Sequence, residues 1–305
     1  MSCFSTFNAV IVLKGENVSD FQNLSNDQAR QQIDAQQLFA TYREVRAELA
    51  RDYSGSMRWR TISGADYLVK KMDGRETSLG RRTPDTETLH SAFIDGRATL
   101  RKRKKATLAR LEAMDRINVA HRLGRVPDLA ARIMDALDRA FLMGTGLRIV
   151  GTTAMYGYEA MAGVRFDTGI VATQDFDLLI GGRDGLELSA SNDHRQAVMT
   201  ALIAADRSFV PRFGEFAVNN DGYEVDFLSE DAGAPAPLAG PATEAVAIGQ
   251  SGRPVRMAVP MPAAFAAHKD WLASQPSRNP AKRQRDAAQA VAIRAALGGF
   301  VPKAL

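Results

Sequence analysis

The chain has 305 residues, 45% hydrophobic and 24% charged, with a formal net charge of +4, and that length sets an expectation of about two domains. No stretch approaches the ~18 uninterrupted apolar residues of a membrane-spanning helix, so no membrane partner is expected. A single cysteine, Cys3, excludes an internal disulfide and a cysteine zinc cluster, which fits a soluble protein of a reducing cytoplasm.

In chain order, Met1 to Lys14 carries a short apolar patch, Ala9 to Leu13, without the basic leader and small-residue cleavage site of a secretory signal. Residues 1–30 are read as a loose arm. Ile33 to Arg51 places Leu38, Tyr42, Val45 and Leu49 at helical spacing. Ser54 to Leu79 changes period: short β-like runs are separated by Ser63-Gly64 and Asp73-Gly74, which predicts a small β-meander. From Thr86 the helical period returns, with Phe93, Leu100, Leu108, Leu111 and Met114 on one stripe. Off that stripe, Arg97, Arg101, Lys102, Arg103, Lys104, Lys105 and Arg110 follow one another with no acid between them. Their removal would leave the chain acidic, so the basic character is local; it fits either a solvated helix face or a docking face for a polyanion. Pro127-Asp128 then opens a further helix, Leu129 to Phe141.

Leu147 to Val150 is an apolar run ending in Gly151-Thr152-Thr153 and passing into the helix-compatible segment Ala154 to Ala162. Strand, tight turn and helix in that order bring backbone amides and hydroxyls to a place where phosphate oxygens can bind. Thr173 to Ile180 alternates two carboxylates, Asp175 and Asp177, with apolar residues. Period two puts both on one face of a strand. Two carboxylates so close repel one another unless they reach water at a strand end or a cation neutralises them, and the hard oxygen-binding ion that fits is Mg²⁺. Phe216 to Val218, a turn at Asn219 to Gly222, and Glu224 to Leu228 predict a hairpin whose second strand carries Asp226 between Val225 and Phe227. Asp226 is the third candidate carboxylate; Glu224 reads as an ordinary exposed strand residue.

Beyond it, Ala232 to Pro241 reads as a loop, and Val246 to Ile248 with Val255 to Val259 as a hairpin able to extend the same sheet. Helices follow over Pro262 to Leu272 and Ala281 to Leu297, the latter with Lys282, Arg285, Asp286 and Gln289 on one face. His268, beside Phe265 and Leu272, reads as a packed histidine. The meander mixes Arg58, Arg60, Lys70, Lys71, Arg75, Arg81 and Arg82 with Tyr53, Trp59 and Tyr67, a composition that suits stacking on bases as well as an ordinary amphipathic hairpin.

Gly151-Thr152, then Asp175-x-Asp177, then Asp226 on a later strand resembles the DNA polymerase β-type nucleotidyltransferase superfamily. Val150 to Ile180 is also similar to a bacterial group of sequence-assigned nucleotidyltransferases, a resemblance that takes in Arg51 to Gly80, Asn118 to Pro127 and His268 to Gln289. Two departures stand out: Thr152 replaces the usual Ser or Gly, and the Glu159 to Ile170 portion lengthens the gap to Asp175. The resemblance implies an α+β fold with a polymerase β-like core, a mixed sheet with flanking helices. It divides the chain into a mostly helical part with the meander (31–146), a catalytic domain (147–260) and a C-terminal helical extension (261–305). It implies transfer of a nucleoside monophosphate from an NTP to a hydroxyl, with Asp175, Asp177 and Asp226 as catalytic residues holding two Mg²⁺ ions, or Mn²⁺ in their place. Gly151, Thr152 and Thr153 would grip the phosphates, and Lys269 and Lys282 match the basic residues of the following helical segment.

RNA, and tRNA in particular, is the first acceptor to consider, a protein hydroxyl the second and a small molecule the third. A toxin with a cognate antitoxin and a housekeeping modifier both fit. The alternative from another class is a catalytically silent scaffold that binds nucleic acid through Arg97 to Arg110.

Overall fold

A capping box opens the first long helix. In the computed structural model, which describes residues 21–144, 146–180, 192–212, 215–228, 238 and 240–299, strand β1 (Phe21–Asn23) leads into helix α1 (Asn26–Asp52). The Ser25 hydroxyl accepts from the Gln28 amide, and the Gln28 side chain accepts from the Ser25 amide. Satisfied end groups draw the polar residues before Ile33 into the helix, so it starts about two turns earlier than its apolar period indicates. Residues 1–20 of the expected arm lie outside the described residues.

The meander is β2 (Ser56–Ile62), β3 (Ala65–Met72) and β4 (Arg75–Arg81), all antiparallel. Both of its turns take positive φ at two successive residues, Ser63-Gly64 and Asp73-Gly74, the backbone of the tight turns that match strand twist. Thr83 caps helix α2 (Pro84–Ala120), 37 residues long. Its buried residues, Phe93, Leu100, Thr107, Leu111 and Asn118, recur at steps of seven or four and form one narrow seam. Met57 and Leu68 of the meander close over Phe93 at one end of that seam; Leu38, Phe39 and Tyr42 of α1 pack on Leu111 further along.

The larger core begins with helix α3 (Asp128–Arg139) and strand β5 (Leu147–Ile149), followed by a single 3₁₀ turn (Thr152–Ala154) and helix α4 (Met155–Ala162). Strand β6 (Val164–Phe166), the short helix α5 (Thr168–Val171), strand β7 (Asp175–Ile180) and helix α6 (Asn192–Ala205) come next. Strands β8 (Val210–Arg212), β9 (Phe216–Val218) and β10 (Glu224–Leu228) complete a five-stranded sheet of order β5-β7-β10-β9-β8. Only β7 and β10 run parallel in it, so the sheet is mixed and the fold is α+β.

The hairpin of β11 (Ala242–Ile248) and β12 (Pro254–Pro260) forms a two-stranded sheet of its own, which corrects the expectation that it extends the central one. Among the described residues its strands pair only with each other, and β12 instead buries Val255, Met257 and Val259 in the apolar core shared with the central sheet. The expected loop Ala232 to Pro241 falls largely outside the described residues.

Helices α7 (Pro262–Ser274) and α8 (Pro280–Leu297) close the chain. One apolar cluster runs from Val126 to Leu297, gathering Ile133, Phe176, Val225, Phe265 and Ile293, so α3, α7 and α8 share the core of the central sheet. Ion pairs join this core to the long helices. Asp138, buried on α3, receives Arg46 at 3.2 Å, Arg43 at 3.3 Å and Arg256 at 3.4 Å, and Asp115 of α2 receives Arg253 at 3.0 Å. Among the described residues no helix is long and apolar enough to cross a membrane.

Candidate active site

Strand alternation and strand register together assemble the site. On β7, Phe176 and Leu178 point into the core and leave Asp175 and Asp177 on the other face. The parallel neighbour β10 sets Glu224 opposite Asp175 and Asp226 opposite Asp177, at the roughly 4.8 Å spacing of adjacent strands. Asp175, Asp177 and Asp226 are therefore neighbours in space, and Glu224, read from sequence as an ordinary strand residue, is a fourth carboxylate on the same face.

The crowding has an electrostatic signature. Burial, then the charges of Asp175 and Asp226, pushes the Asp177 carboxyl up to about 6, while Lys269 and Lys282 pull it down. Asp226 is also raised, by burial first and then by Glu224 and Asp175, with Lys282 opposing. Tyr223 is raised by burial and by Asp175. Excess negative charge thus gathers on a half-buried surface. Oxygen-only donors in that arrangement suit a hard divalent cation. Asp175 is turned to accept from the Thr173 hydroxyl, and among the described residues no three His, Cys, Asp or Glu side chains form a ready metal nest. The all-oxygen donor set fits a hard cation chemically.

Gly151 is pressed against this face. Its φ of 59° and ψ of −156° lie in a region reserved for glycine, and a Cβ there would sit 1.7 Å from Asp177 Oδ2. The Val150 amide donates to the Asp177 carbonyl at 3.0 Å, which holds turn and strand together. The helix that starts here leaves its first amides without intrahelical acceptors. Thr152 and Thr153 are both buried; the Thr153 hydroxyl donates to the Asp175 carbonyl at 3.3 Å, and the Thr152 hydroxyl accepts from Gln289 Nε2 at 3.3 Å. Both hydroxyls thus have partners inside the protein.

The C-terminal helices complete the surroundings. Lys269 on α7 is buried, with Nζ 2.8 Å from Asp286 Oδ1 and 5.4 Å from the centre of the Phe265 ring. Burial lowers its pKa, and Asp286 and Asp177 oppose that. Lys282, on the exposed first turns of α8, acts on both Asp177 and Asp226. Arg285 Nη1 donates to the Ala172 carbonyl at 3.3 Å, and Gln289 Nε2 to the Ile170 carbonyl at 2.6 Å. His268 is buried beside Trp271. The helical spacing already groups Asp286 and Gln289 with Lys282 on a face able to meet a nucleotide; Arg278 carries no such signal, and nothing local in sequence announces that Asp286 is a partner for Lys269.

A family model described as nucleotidyltransferase matches residues 128–243 and 236–305, more than half of the chain. No curated protein and no solved structure gives a significant match. The matched region takes in the four-carboxylate face, the Gly151 turn and both C-terminal helices, and the chain belongs to this nucleotidyltransferase family.

Proposed function

We propose that the protein transfers a nucleoside monophosphate from an NTP to a hydroxyl of RNA, tRNA foremost, and releases pyrophosphate from a polymerase β-like site. The observation that carries this reading is the register of β7 against β10, which places Asp226 beside Asp177 and within the field of Asp175. Asp175, Asp177 and Asp226 would hold two Mg²⁺ ions, or Mn²⁺. Bound there, such a pair neutralises the triphosphate and makes the acceptor hydroxyl easier to deprotonate.

The chain's own residues do the rest by position and charge. Gly151 lets the backbone approach the carboxylates, so the amides of Gly151, Thr152 and Thr153 can receive the terminal phosphates. Lys282, exposed, and Lys269, buried, face the same negative charge from α8 and α7. The acceptor oxygen attacks the α-phosphorus, the bond to the β-phosphate breaks, and a carboxylate oxygen of Asp226 takes the hydroxyl proton.

The test is pyrophosphate release from each NTP with Mg²⁺ and total RNA, with the labelled product identified from α-³²P-NTP. Wild type is expected to label RNA with one NTP preferred, and Asp177→Ala, folded by circular dichroism, to label nothing. Labelling of protein instead would move the acceptor to a protein hydroxyl; salt-sensitive RNA binding by a folded wild type without turnover would select the silent scaffold.

A further inference from the structure

The sequence holds two cationic features, and the structure separates them. In the meander three of the arginines are matched by acids, and Lys70 and Arg81 lie over the Phe93 and Tyr67 rings. Arg58 and Arg60 both reach Glu76, at 2.9 and 2.6 Å, and Arg82 reaches Glu87 at 2.7 Å and Asp66 at 3.4 Å. Its central aromatic is occupied as well: Arg82 lies 5.0 Å from the Trp59 ring centre and His90 packs at 5.6 Å. On α2 the opposite holds. Arg101, Lys102, Arg103, Lys105 and Arg110 are exposed, and none makes an ion pair among the described residues.

Helix geometry explains why these charges stand together. The seam from Phe93 to Asn118 uses one side of α2; at 100° per residue Arg101, Lys102 and Lys105 turn away from it while Arg103 and Arg110 flank it on one edge, all five exposed. From Arg97 to Arg110 the helix rises about 20 Å at 1.5 Å per residue. Its far end is tied to the core: Asn118 Nδ2 donates to the Gly252 carbonyl at 2.8 Å, and Arg253 pairs with Asp115. The C-terminal end of α2 is therefore anchored to the β11–β12 hairpin, whose strands share the large apolar core.

We propose that this exposed basic stretch of α2 docks the phosphate backbone of a base-paired RNA stem, the acceptor in the proposed transfer, whose identity as a nucleotidyl acceptor rests on that reading. Unneutralised Arg and Lys in a row suit phosphates, whose condensed counterions are released on binding. From Ile94 to Ala120 α2 has no Phe, Tyr or Trp, so it has nothing on which unpaired bases could stack. A paired stem, recognised by shape and backbone, needs no such platform.

The test uses the full chain and a fluorescein-labelled RNA hairpin, read by anisotropy over a series of KCl concentrations, beside a DNA hairpin and an unstructured RNA. Wild type is expected to prefer the RNA hairpin. The quintuple variant R101Q/K102Q/R103Q/K105Q/R110Q, with unchanged melting temperature, is expected to lose affinity about 30-fold and to show a salt slope shallower by about four. R58Q/R60Q in the meander should bind within about threefold of wild type. Equal binding by the quintuple variant, equal binding of the DNA hairpin, or preference for unstructured RNA each overturns the proposal. Asp177→Ala separates the two readings: it is expected to keep hairpin binding while losing pyrophosphate release, so failure of the chemistry leaves the docking result standing, and the reverse.

Discussion

Lys269 Nζ lies 2.8 Å from Asp286 Oδ1, and Arg278 Nε holds the other oxygen of that carboxylate at 3.0 Å, with Asp286 wholly buried. Removing one side of a buried pair leaves an uncompensated charge, whereas replacing both sides by apolar groups does not. Asp286→Leu is therefore expected to cost about 3–5 kcal/mol, and Lys269→Met with Asp286→Leu to recover part of it, the half-buried Arg278 being left without its partner. Urea unfolding of the two single variants and the double variant checks this; losses that simply add would show that the two residues are not coupled.

Gly151→Ala tests the close approach of the turn to β7. The new Cβ would collide with the Asp177 carboxylate, and alanine disfavours this backbone by on the order of 1–3 kcal/mol. Pyrophosphate release is expected to fall by roughly 100-fold, as for other displaced catalytic groups. A fully active Gly151→Ala enzyme would detach this turn from the chemistry.

The raised Asp177 carboxyl makes a signed prediction about pH. Its folded value of about 6 stands above the ordinary 3.8, so the native state binds the proton more tightly than the unfolded chain does. The resulting stabilisation is complete below about pH 4 and is lost as pH rises through 6, a change of about 3 kcal/mol. Asp177→Asn should be the more stable protein at pH 7.5 without metal and should match wild type near pH 4. Mn²⁺ with nucleotide should raise the wild-type melting temperature at pH 7.5 and leave Asp177→Asn unmoved. Parallel pH profiles for the two proteins would contradict the assignment.

Gln289→Leu removes the donor to the Ile170 carbonyl and the Thr152 hydroxyl. Buried acceptors left unmatched are expected to cost about 1–3 kcal/mol. With the Thr152 turn loosened, the KM for NTP should rise more than kcat falls; a change in kcat alone would place Gln289 elsewhere in the cycle.

What could be read in advance follows the range of the interactions concerned. Asp175 and Asp177 were visible because period two is local, and the hairpin at Asn219 to Gly222 because its turn residues are. Glu224 was passed over: its significance comes from sitting opposite Asp175, a relationship set by sheet register. Lys269 is legible as a basic candidate, but not its burial against Asp286, a partner seventeen positions away on another helix. The contact of Gly151 with Asp177 is equally non-local, although the glycine itself marked the turn. The early start of α1 depends on Ser25 and Gln28, a signal in the sequence that apolar periodicity does not register.

Helix α8 carries the cross-links to the Gly151 turn: Gln289 reaches both Thr152 and the carbonyl ahead of β7, and Arg285 reaches Ala172. During synthesis β5, β7 and β10 leave the ribosome well before α8 does. A folding intermediate that has formed these strands but not yet docked α8 would hold its acidic face without this clasp on the turn.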